Sequence, residues 1–136
     1  MAVVAGGEMK QITTPSEGAS VLVVEDEVLI RRPIVDHLRD CGWRVLEAAT
    51  ADEAKALLLS GATIDVVFSD VQMPGALDGI GFARWIHDHH SEIKVLLTSG
   101  VAATTGIPIE VCAQKSIFRK PYDCEAVASR IRVLLA

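Results

Sequence analysis

Four short polar segments hold the side chains of this sequence that could do chemistry, and each follows an apolar run. Glu25-Asp26-Glu27 and Asp70 supply carboxylates, Thr98 supplies a hydroxyl, and Lys120 supplies an ammonium group. If the apolar runs are parallel strands, their carboxyl ends share one edge of the sheet, and these groups meet there. The sequence therefore predicts one cluster of acids with a hydroxyl and an ammonium group beside them.

Carboxylates brought this close would repel one another unless a cation joined them. Mg²⁺ fits, because it is a hard ion that binds through few carboxylates and several waters. Beside such an ion, an ammonium group and a hydroxyl would neutralise and hydrogen-bond the oxygens of a phosphoryl group. One carboxylate could then act as the nucleophile and form an acyl phosphate. The cluster therefore indicates a Mg²⁺-dependent phosphoryl pocket.

The apolar runs are of the kind that form strands buried on both faces of a parallel sheet. Between them, apolar residues recur at helical spacing, so that strands and helices alternate along the chain. This alternation predicts an α/β fold, in which a doubly wound parallel sheet of five strands carries helices on both faces. The predicted strands are 21–24, 43–48, 64–68, 94–97 and 116–119.

The predicted helices have their own start and stop signals. Ile30, Ile34 and Leu38 recur at helical spacing before Gly42, and Pro33 should kink this first helix. The second predicted helix begins at the capping box Thr50-Ala51-Asp52-Glu53 and ends near Gly61, and the third runs from about Gly79 to His90. The fourth is expected near 102–114 and to be short or irregular. The fifth begins at the N-cap Asp123 and continues to the end of the last apolar face.

Composition limits the class of protein. The chain has 136 residues, of which 50% are hydrophobic, so it can bury one core and is not a disordered chain. We expect a flexible N-terminal tail over 1–19 and a single domain over 20–136. The three cysteines are odd in number and lack CxxC spacing, which favours reduced thiols over a disulfide framework. A net charge of −5 without a basic block argues against a nucleic-acid partner.

The order of these motifs resembles the receiver domain of two-component response regulators. The resemblance extends over roughly 20–136, and the motifs stand in the same order as in that family, each at a predicted strand end. It implies a flavodoxin-like (βα)5 sheet with the strand order 2-1-3-4-5. The matching segments are VLVVEDE (21–27), FSDVQMPG (68–75), LDG (77–79), VLLTSG (95–100) and FRKPY (118–122).

The resemblance also implies a role for each site residue. Asp70 is similar to the phosphoacceptor of the family, Thr98 to its switch hydroxyl, and Lys120 to the lysine that pairs with the phosphoryl group. A cis peptide bond is implied at Lys120-Pro121, because X-Pro is the linkage at which the cis form costs little. The implied ligands of Mg²⁺, with Mn²⁺ as an alternative ion, are Glu25, Asp26, Asp70 and the backbone carbonyl of Gln72.

The sequence departs from the family pattern in three places. Most receivers have an aromatic residue three positions before the lysine, and Ile117 stands there instead. The loop MPGALDG (73–79) is one residue longer than the commonest form, and the fourth predicted helix contains Gly106 and Pro108. We therefore expect intact transfer chemistry and an output switch that differs from the usual one.

These features together predict a single-domain response regulator in the cytoplasm. It would accept a phosphoryl group onto Asp70 from a sensor histidine kinase or a histidine phosphotransfer protein. It would then signal or relay the group by contact with a downstream protein, and we expect neither a nucleic acid nor a membrane as its partner. Because Asp70 would itself react, the chain would catalyse its own phosphorylation and dephosphorylation, without acting as an enzyme on external substrates.

Three alternatives remain open from the sequence. A pseudo-receiver would keep the fold and bind partners without phosphorylation, as the departure at Ile117 suggests. A small Mg²⁺-dependent phosphohydrolase of the aspartyl-phosphate kind would need a second acid two residues after its nucleophile, where this chain has Gln72. A flavodoxin-like FMN binder would need a phosphate loop after the first strand, where Glu25-Asp26-Glu27 would repel a phosphate.

Several other conspicuous residues are expected to be structural. Glu27 fits the N-terminus of the first helix, and the histidines His87, His89 and His90 fit a solvated helix end. Trp43 and Trp85 are expected in the core or half-buried, and Phe82 and Ile86 in the core. The cysteines Cys41, Cys112 and Cys124 are expected to be buried apolar residues.

Overall fold

The computed structural model describes residues 18–73, 75–99 and 117–136, with the backbone alone described at 117 and 118. The tail over 1–17 and the fourth helix expected near 102–114 lie outside the described residues. The strands are β1 (Ser20–Val24), β2 (Arg44–Ala48), β3 (Val66–Asp70), β4 (Lys94–Ser99) and β5 (Ile117–Arg119). The described helices are α1 (Val28–Asp40), α2 (Ala51–Leu59), α3 (Gly79–His89) and α4 (Cys124–Leu135).

The five strands form one parallel sheet in the order β2-β1-β3-β4-β5. This confirms the predicted doubly wound fold and its strand order. Strand β3 ends later than the sequence suggests, because Ser69 and Asp70 still pair with β4 instead of opening a loop. The pairing places Asp70 directly beside Thr98, so the two polar residues lie next to each other at the carboxyl edge.

Alternate residues of the central strand β1 face two separate apolar cores. Val21 and Val23 lie in the core that α1 and α4 cover, whereas Leu22 and Val24 lie in the core that α2 and α3 cover. Because helices cover both faces, β1 and β3 are fully buried along their length, as their apolar sequences predict. Burial on both faces fixes the position of the carboxyl ends of these strands.

The predicted helix caps are confirmed where the structure describes them. Thr50 accepts a hydrogen bond from the backbone N–H of Glu53 at 3.0 Å, and Asp123 accepts one from Ala126 at 3.1 Å. In a standard capping box the Glu53 side chain would accept from the N–H of Thr50. Here it accepts from the N–H of Ala49 instead, at 2.9 Å. Helix α1 continues through the exposed Pro33 to Asp40.

Most of the expected core residues are buried. Trp43, Phe82 and Ile86 belong to the core, and Trp85 packs against it. The expectation for the cysteines is wrong at Cys41 and Cys124, which are free thiols with partial solvent exposure, because both lie at helix ends that the apolar core covers only on one side. Among the described residues, no helix is both long enough and apolar enough to cross a bilayer.

Candidate functional site

Asp70 is the last residue of β3 and is only 5% exposed. Both of its carboxylate oxygens have partners. The backbone N–H of Gln72 donates to Oδ1 at 3.2 Å, and the ammonium group of Lys120 donates to Oδ2 at 2.8 Å. Two converging donors hold the carboxylate in one orientation at the edge of the sheet, as a nucleophile requires.

Lys120 follows β5 and brings its positive charge into the cluster of acids. Besides its hydrogen bond to Asp70, the ammonium nitrogen lies 3.1 Å from Oε2 of Glu25, as an ion pair without the alignment of a hydrogen bond. Partial burial lowers the pKa of Lys120, but the hydrogen bond to Asp70 and the negative charges of Asp70 and Glu25 outweigh it, and the net pKa is raised. Lys120 therefore stays ionised across the physiological range. The peptide bond from Lys120 to Pro121 is cis, as the resemblance implies.

Glu25 and Asp26 follow β1 and lie beside Asp70. Glu25 is only 3% exposed, Asp26 is exposed, and one carboxylate oxygen from each of the three acids lies within 4.8 Å of the others. Burial raises the pKa of Glu25, and the neighbouring carboxylates of Asp26 and Asp70 raise it further, against the lowering effects of the Glu27 N–H and of Lys120. Such a crowded and partly buried set of oxygens is suited to a divalent cation.

The hydroxyl of Thr98 is buried beside this cluster. Among the described residues its Oγ1 has no hydrogen-bond partner, although Thr98 is only 2% exposed. The Thr98 backbone oxygen accepts from the N–H of Val71 at 2.9 Å, which joins β4 to the segment after Asp70. A buried hydroxyl without a partner costs free energy in this state, and a hydrogen bond made in another state of the protein would explain its presence.

Gly79 contributes to the site in a way that its sequence position does not reveal. It begins α3, and its N–H donates to the backbone oxygen of Val71 at 2.9 Å. A Cβ at this position would overlap the backbone oxygen of Asp70 and would lie 2.7 Å from the Cα of Val71. The glycine therefore allows the helix to approach the segment that carries Asp70. The glycine of the LDG motif was the only sequence signal for it.

Arg31 is a second site residue that sequence reasoning missed. Its guanidinium donates to the backbone oxygen of Glu25 at 2.7 Å and to Oε1 of Glu47 at 3.0 Å. The side chain thus ties α1 and β2 to the turn that bears the acidic pair. Nothing in the local sequence distinguishes Arg31 from Arg32 beside it, because only the folded turn shows which side chain reaches the carbonyl.

The remaining expectations fall into two groups. Glu27 is the exposed N-cap residue of α1, which agrees with its expected place at the helix start. The rings of His89 and His90 lie 5.2 Å and 5.1 Å from the ring of Trp85, far along the chain from the site. The N–H of Gln72 donates to Asp70, whereas metal binding by the Gln72 carbonyl stays a prediction. The effect of Ile117 on the output switch also stays a prediction, because its side chain lies outside the described part.

An apolar groove of about 390 Å³ opens next to Lys120. At one side Leu29 is 89% exposed, and at the other Tyr122 packs edge-on against Phe68 with ring centroids 5.4 Å apart. Burial, followed by the nearby negative charges, raises the pKa of Tyr122, so its hydroxyl stays neutral. The residues that line the groove are Leu29, Ile30, Pro33, Lys120, Pro121, Tyr122 and Cys124.

A doubly wound sheet with acids, a hydroxyl and a lysine at its carboxyl edge defines a class of small α/β domains whose polar site lies at the ends of the strands. Comparison with known proteins narrows this class, because the family model of the response regulator receiver domain matches residues 21–132. The chain therefore belongs to the receiver domains of response regulators, which are components of two-component systems.

Two relatives with similar sequences support this assignment. The sensor kinase CckA of Brucella abortus (strain 2308) is 34% identical over 132 residues, with 94% of this chain and 14% of that protein covered. The transcriptional regulatory protein ResD of Bacillus subtilis (strain 168) is 30% identical over 115 residues, with 85% of this chain and 47% of that protein covered. The chain spans less than half the length of either relative.

A solved structure agrees in fold over nearly its whole length. The chemotaxis response regulator CheY4 of Vibrio cholerae has a TM-score of 0.71 and 27% sequence identity. The match covers 86% of this chain and 98% of that one. The parallel sheet and its order are thus those of known receivers.

Proposed function

We propose that Asp70 accepts a phosphoryl group from a phosphohistidine and that this modification controls contacts with other proteins. The observation that carries the proposal is the position of Asp70, whose two carboxylate oxygens are held by Lys120 and by the Gln72 N–H at the edge of the acidic cluster. A solvated loop aspartate would have neither partner. The proposal is also supported by membership of the receiver family.

In the transfer step, a carboxylate oxygen of Asp70 attacks the phosphorus atom of the donor. A P–O bond forms as the P–N bond to the histidine breaks, and the ring nitrogen leaves with the bonding electron pair. The Lys120 ammonium lies at Oδ2 of Asp70, where it can neutralise charge on the incoming phosphoryl oxygens. The Thr98 hydroxyl, for which the described part of the chain offers no partner, is available to donate to one of those oxygens.

The residues of the acidic cluster fit a Mg²⁺ ion, with Mn²⁺ as an alternative. The crowding of three carboxylates, one oxygen of each within 4.8 Å of the others, supports this fit. When bound, the ion supplies positive charge against the oxygens of the transferred group. The residues that would hold it are Glu25, Asp26, Asp70 and the backbone carbonyl of Gln72.

A protein donor in the cytoplasm is the partner that we propose. The apolar groove beside Lys120 and the exposed Leu29 form a surface that a protein partner could bury. A sensor histidine kinase or a phosphotransfer protein could use it, whereas a small phosphodonor would not need it. The free thiols of Cys41 and Cys124 support a reducing compartment. The downstream partner is proposed to be a protein as well.

Phosphorylation of the purified chain tests the proposal. With acetyl phosphate and Mg²⁺, intact-mass spectrometry should detect the addition of one phosphoryl group, and removal of Mg²⁺ with a chelator should prevent it. Asp70→Asn should abolish the modification, whereas Asp88→Asn, which changes an exposed acid on α3, should leave it intact. A wild-type chain that stays unmodified with both acetyl phosphate and a phosphohistidine protein would contradict the proposal and favour a binding module that signals without phosphorylation.

The groove can be tested separately from the chemistry. Leu29→Ser removes an exposed apolar side chain that lines the groove and belongs to neither the acidic cluster nor its lysine, and it should slow transfer from a phosphohistidine protein. Modification by acetyl phosphate should stay unchanged, because the small donor does not need the groove. Leu59→Ser, at an exposed leucine on α2, is the matched control and should affect neither reaction.

A further inference from the structure

We propose that His37, Cys41 and Glu125 form a second metal site, specific for Zn²⁺ over Mg²⁺, at the junction of α1 and α4. One ligand atom from each of these residues lies within 4.8 Å of the other two. The cluster shares no residue with the acidic pocket at the sheet edge. It therefore predicts Zn²⁺ binding that the phosphoryl chemistry of Asp70 neither requires nor explains.

The backbone places the three side chains together. His37 lies in the last turn of α1, and the N–H of Cys41 donates to the backbone oxygen of His37 at 3.1 Å, so the two side chains lie one turn apart on the same face. Glu125 lies in the first turn of α4, and its Oε1 is 2.9 Å from Nε2 of His37. Two elements distant in sequence thus supply one imidazole, one thiol and one carboxylate.

The types of ligand favour Zn²⁺. Zinc binds imidazole nitrogen, thiolate sulfur and carboxylate oxygen in a tetrahedral arrangement, whereas Mg²⁺ takes oxygen ligands. With bond lengths of about 2.0–2.3 Å, a tetrahedral site needs its ligand atoms about 3.3–3.6 Å apart. The His37–Glu125 distance of 2.9 Å need grow by only a few tenths of an ångström, and small side-chain rotations can bring the sulfur into range.

Arg132 already positions the carboxylate for such an ion. Its guanidinium donates to Oε2 of Glu125 at 2.9 Å, and the hydroxyl of Ser129 donates to the same atom at 3.3 Å. This leaves Oε1 directed toward His37. Hydrogen bonds to the far oxygen of a metal-binding carboxylate are a regular feature of zinc sites, because they fix its orientation. Arg132 also donates to Sγ of Cys41 at 3.4 Å, which holds the sulfur on the same side.

Solvent reaches all three ligands, so an ion has an entry path. The side chains of His37 and Glu125 are 34% and 54% exposed, and Cys41 is partly exposed. Three protein ligands leave a fourth tetrahedral position for water or for a ligand from another molecule. A bound ion would link the end of α1 to the start of α4.

Zinc titration of the chain with reduced thiols tests this site. With Mg²⁺ in excess to occupy the acidic pocket, isothermal titration calorimetry should detect one Zn²⁺ per chain, and Co²⁺ as a substitute should give the absorption of a thiolate-bound tetrahedral ion. Cys41→Ser and His37→Gln should each weaken Zn²⁺ binding by more than about a hundredfold. Arg132→Lys keeps the positive charge and should weaken binding by roughly tenfold, because it loses the guanidinium that orients the carboxylate.

Two controls separate this site from the rest of the molecule. Cys124→Ser removes a thiol beside Glu125 that is not a member of the cluster, and it should bind Zn²⁺ like the wild type. Asp26→Asn alters the acidic pocket and should leave the Zn²⁺ titration unchanged, even if phosphorylation fails. Circular dichroism of each variant without metal verifies its fold. A wild type without stoichiometric binding, or variants at His37 and Cys41 with unchanged binding, would overturn the proposal.

Discussion

Gly79 lies so close to Asp70 that the first turn of α3 leaves no room for a side chain against the Asp70 backbone. A Cβ at Gly79 would overlap the Asp70 carbonyl oxygen and lie 2.8 Å from its carbonyl carbon. Backbone atoms of a buried strand end cannot move aside as a flexible side chain can. The position of the nucleophile and the start of the helix are therefore coupled.

Gly79→Ala is expected to lower the free energy of unfolding by about 3 kcal/mol, the upper range for inserting a methyl group into a packed site. Gly81→Ala is the matched control on the same helix, because its Cβ would meet the flexible Leu77 side chain at 2.9 Å. That control should change stability by no more than about 1 kcal/mol. Urea denaturation measures both. Equal effects of the two substitutions would show that the approach to Asp70 is not tight.

Lys120→Met is expected to destabilise the metal-free protein by about 2 kcal/mol, because it leaves the buried carboxylates of Glu25 and Asp70 without their cation. The value is below the cost for a fully buried pair, since Lys120 keeps partial access to solvent. Adding Asp70→Asn should recover about 1 kcal/mol, as residues in direct contact are not additive. Denaturation of the two single variants and the double variant tests this, and strict additivity would contradict the pairing.

The acids, the hydroxyl and the lysine could be predicted from the sequence because they depend on residue type and on the ends of apolar strands. A parallel sheet brings those ends together whatever the details of packing. The bounds of β3 were less accurate, since pairing of Ser69 and Asp70 with β4 is decided by the neighbouring strand. The fold class likewise followed from the alternation of strands and helices.

The supporting residues could not be predicted in the same way. The need for glycine at 79 arises from the distance between a helix and a strand end, and the contact of Arg31 with the Glu25 carbonyl depends on a side-chain conformation. The exposure of Cys41 depends on how far α4 covers the end of α1. Each is a tertiary distance that no spacing within one segment encodes.

The raised pKa of Glu25 gives the metal-free protein a characteristic pH dependence. Burial and then the neighbouring acids raise it above 4.5, so the folded state keeps a proton that the unfolded chain has already lost. Stability should therefore fall as pH rises from 4.5 to the raised pKa, and this loss should be absent in Glu25→Gln. Thermal unfolding of the wild type and of Glu25→Gln across this pH window measures how stability changes with pH in each. If Glu25 were mainly stabilised as an anion, the stability of the wild type would rise with pH instead of falling.

Thr98→Val should leave the stability of the unmodified protein unchanged or raise it by about 1 kcal/mol, because it removes a buried hydroxyl that has no partner. It should also abolish the increase in melting temperature that beryllofluoride produces in the wild type, since that state would use the hydroxyl. Ser99→Ala removes the neighbouring buried hydroxyl, which likewise has no partner among the residues that the structure describes, and it should keep the response. A full response in Thr98→Val would show that the hydroxyl has no role in the modified state.

Arg31→Met is expected to weaken Mg²⁺ binding by roughly tenfold, because the turn that holds Glu25 and Asp26 loses the guanidinium that anchors the Glu25 carbonyl. Removing a positive charge near acids would by itself strengthen cation binding, so the control must carry the same change in charge. Arg32→Met does so, since the guanidinium of Arg32 also contacts Glu47, at 3.4 Å, and its other described hydrogen bond is to Asp36 instead of the Glu25 carbonyl. Calorimetric Mg²⁺ titration of the two variants should therefore separate them. Weaker binding in both, or in neither, would show that the carbonyl contact does not organise the acidic pair.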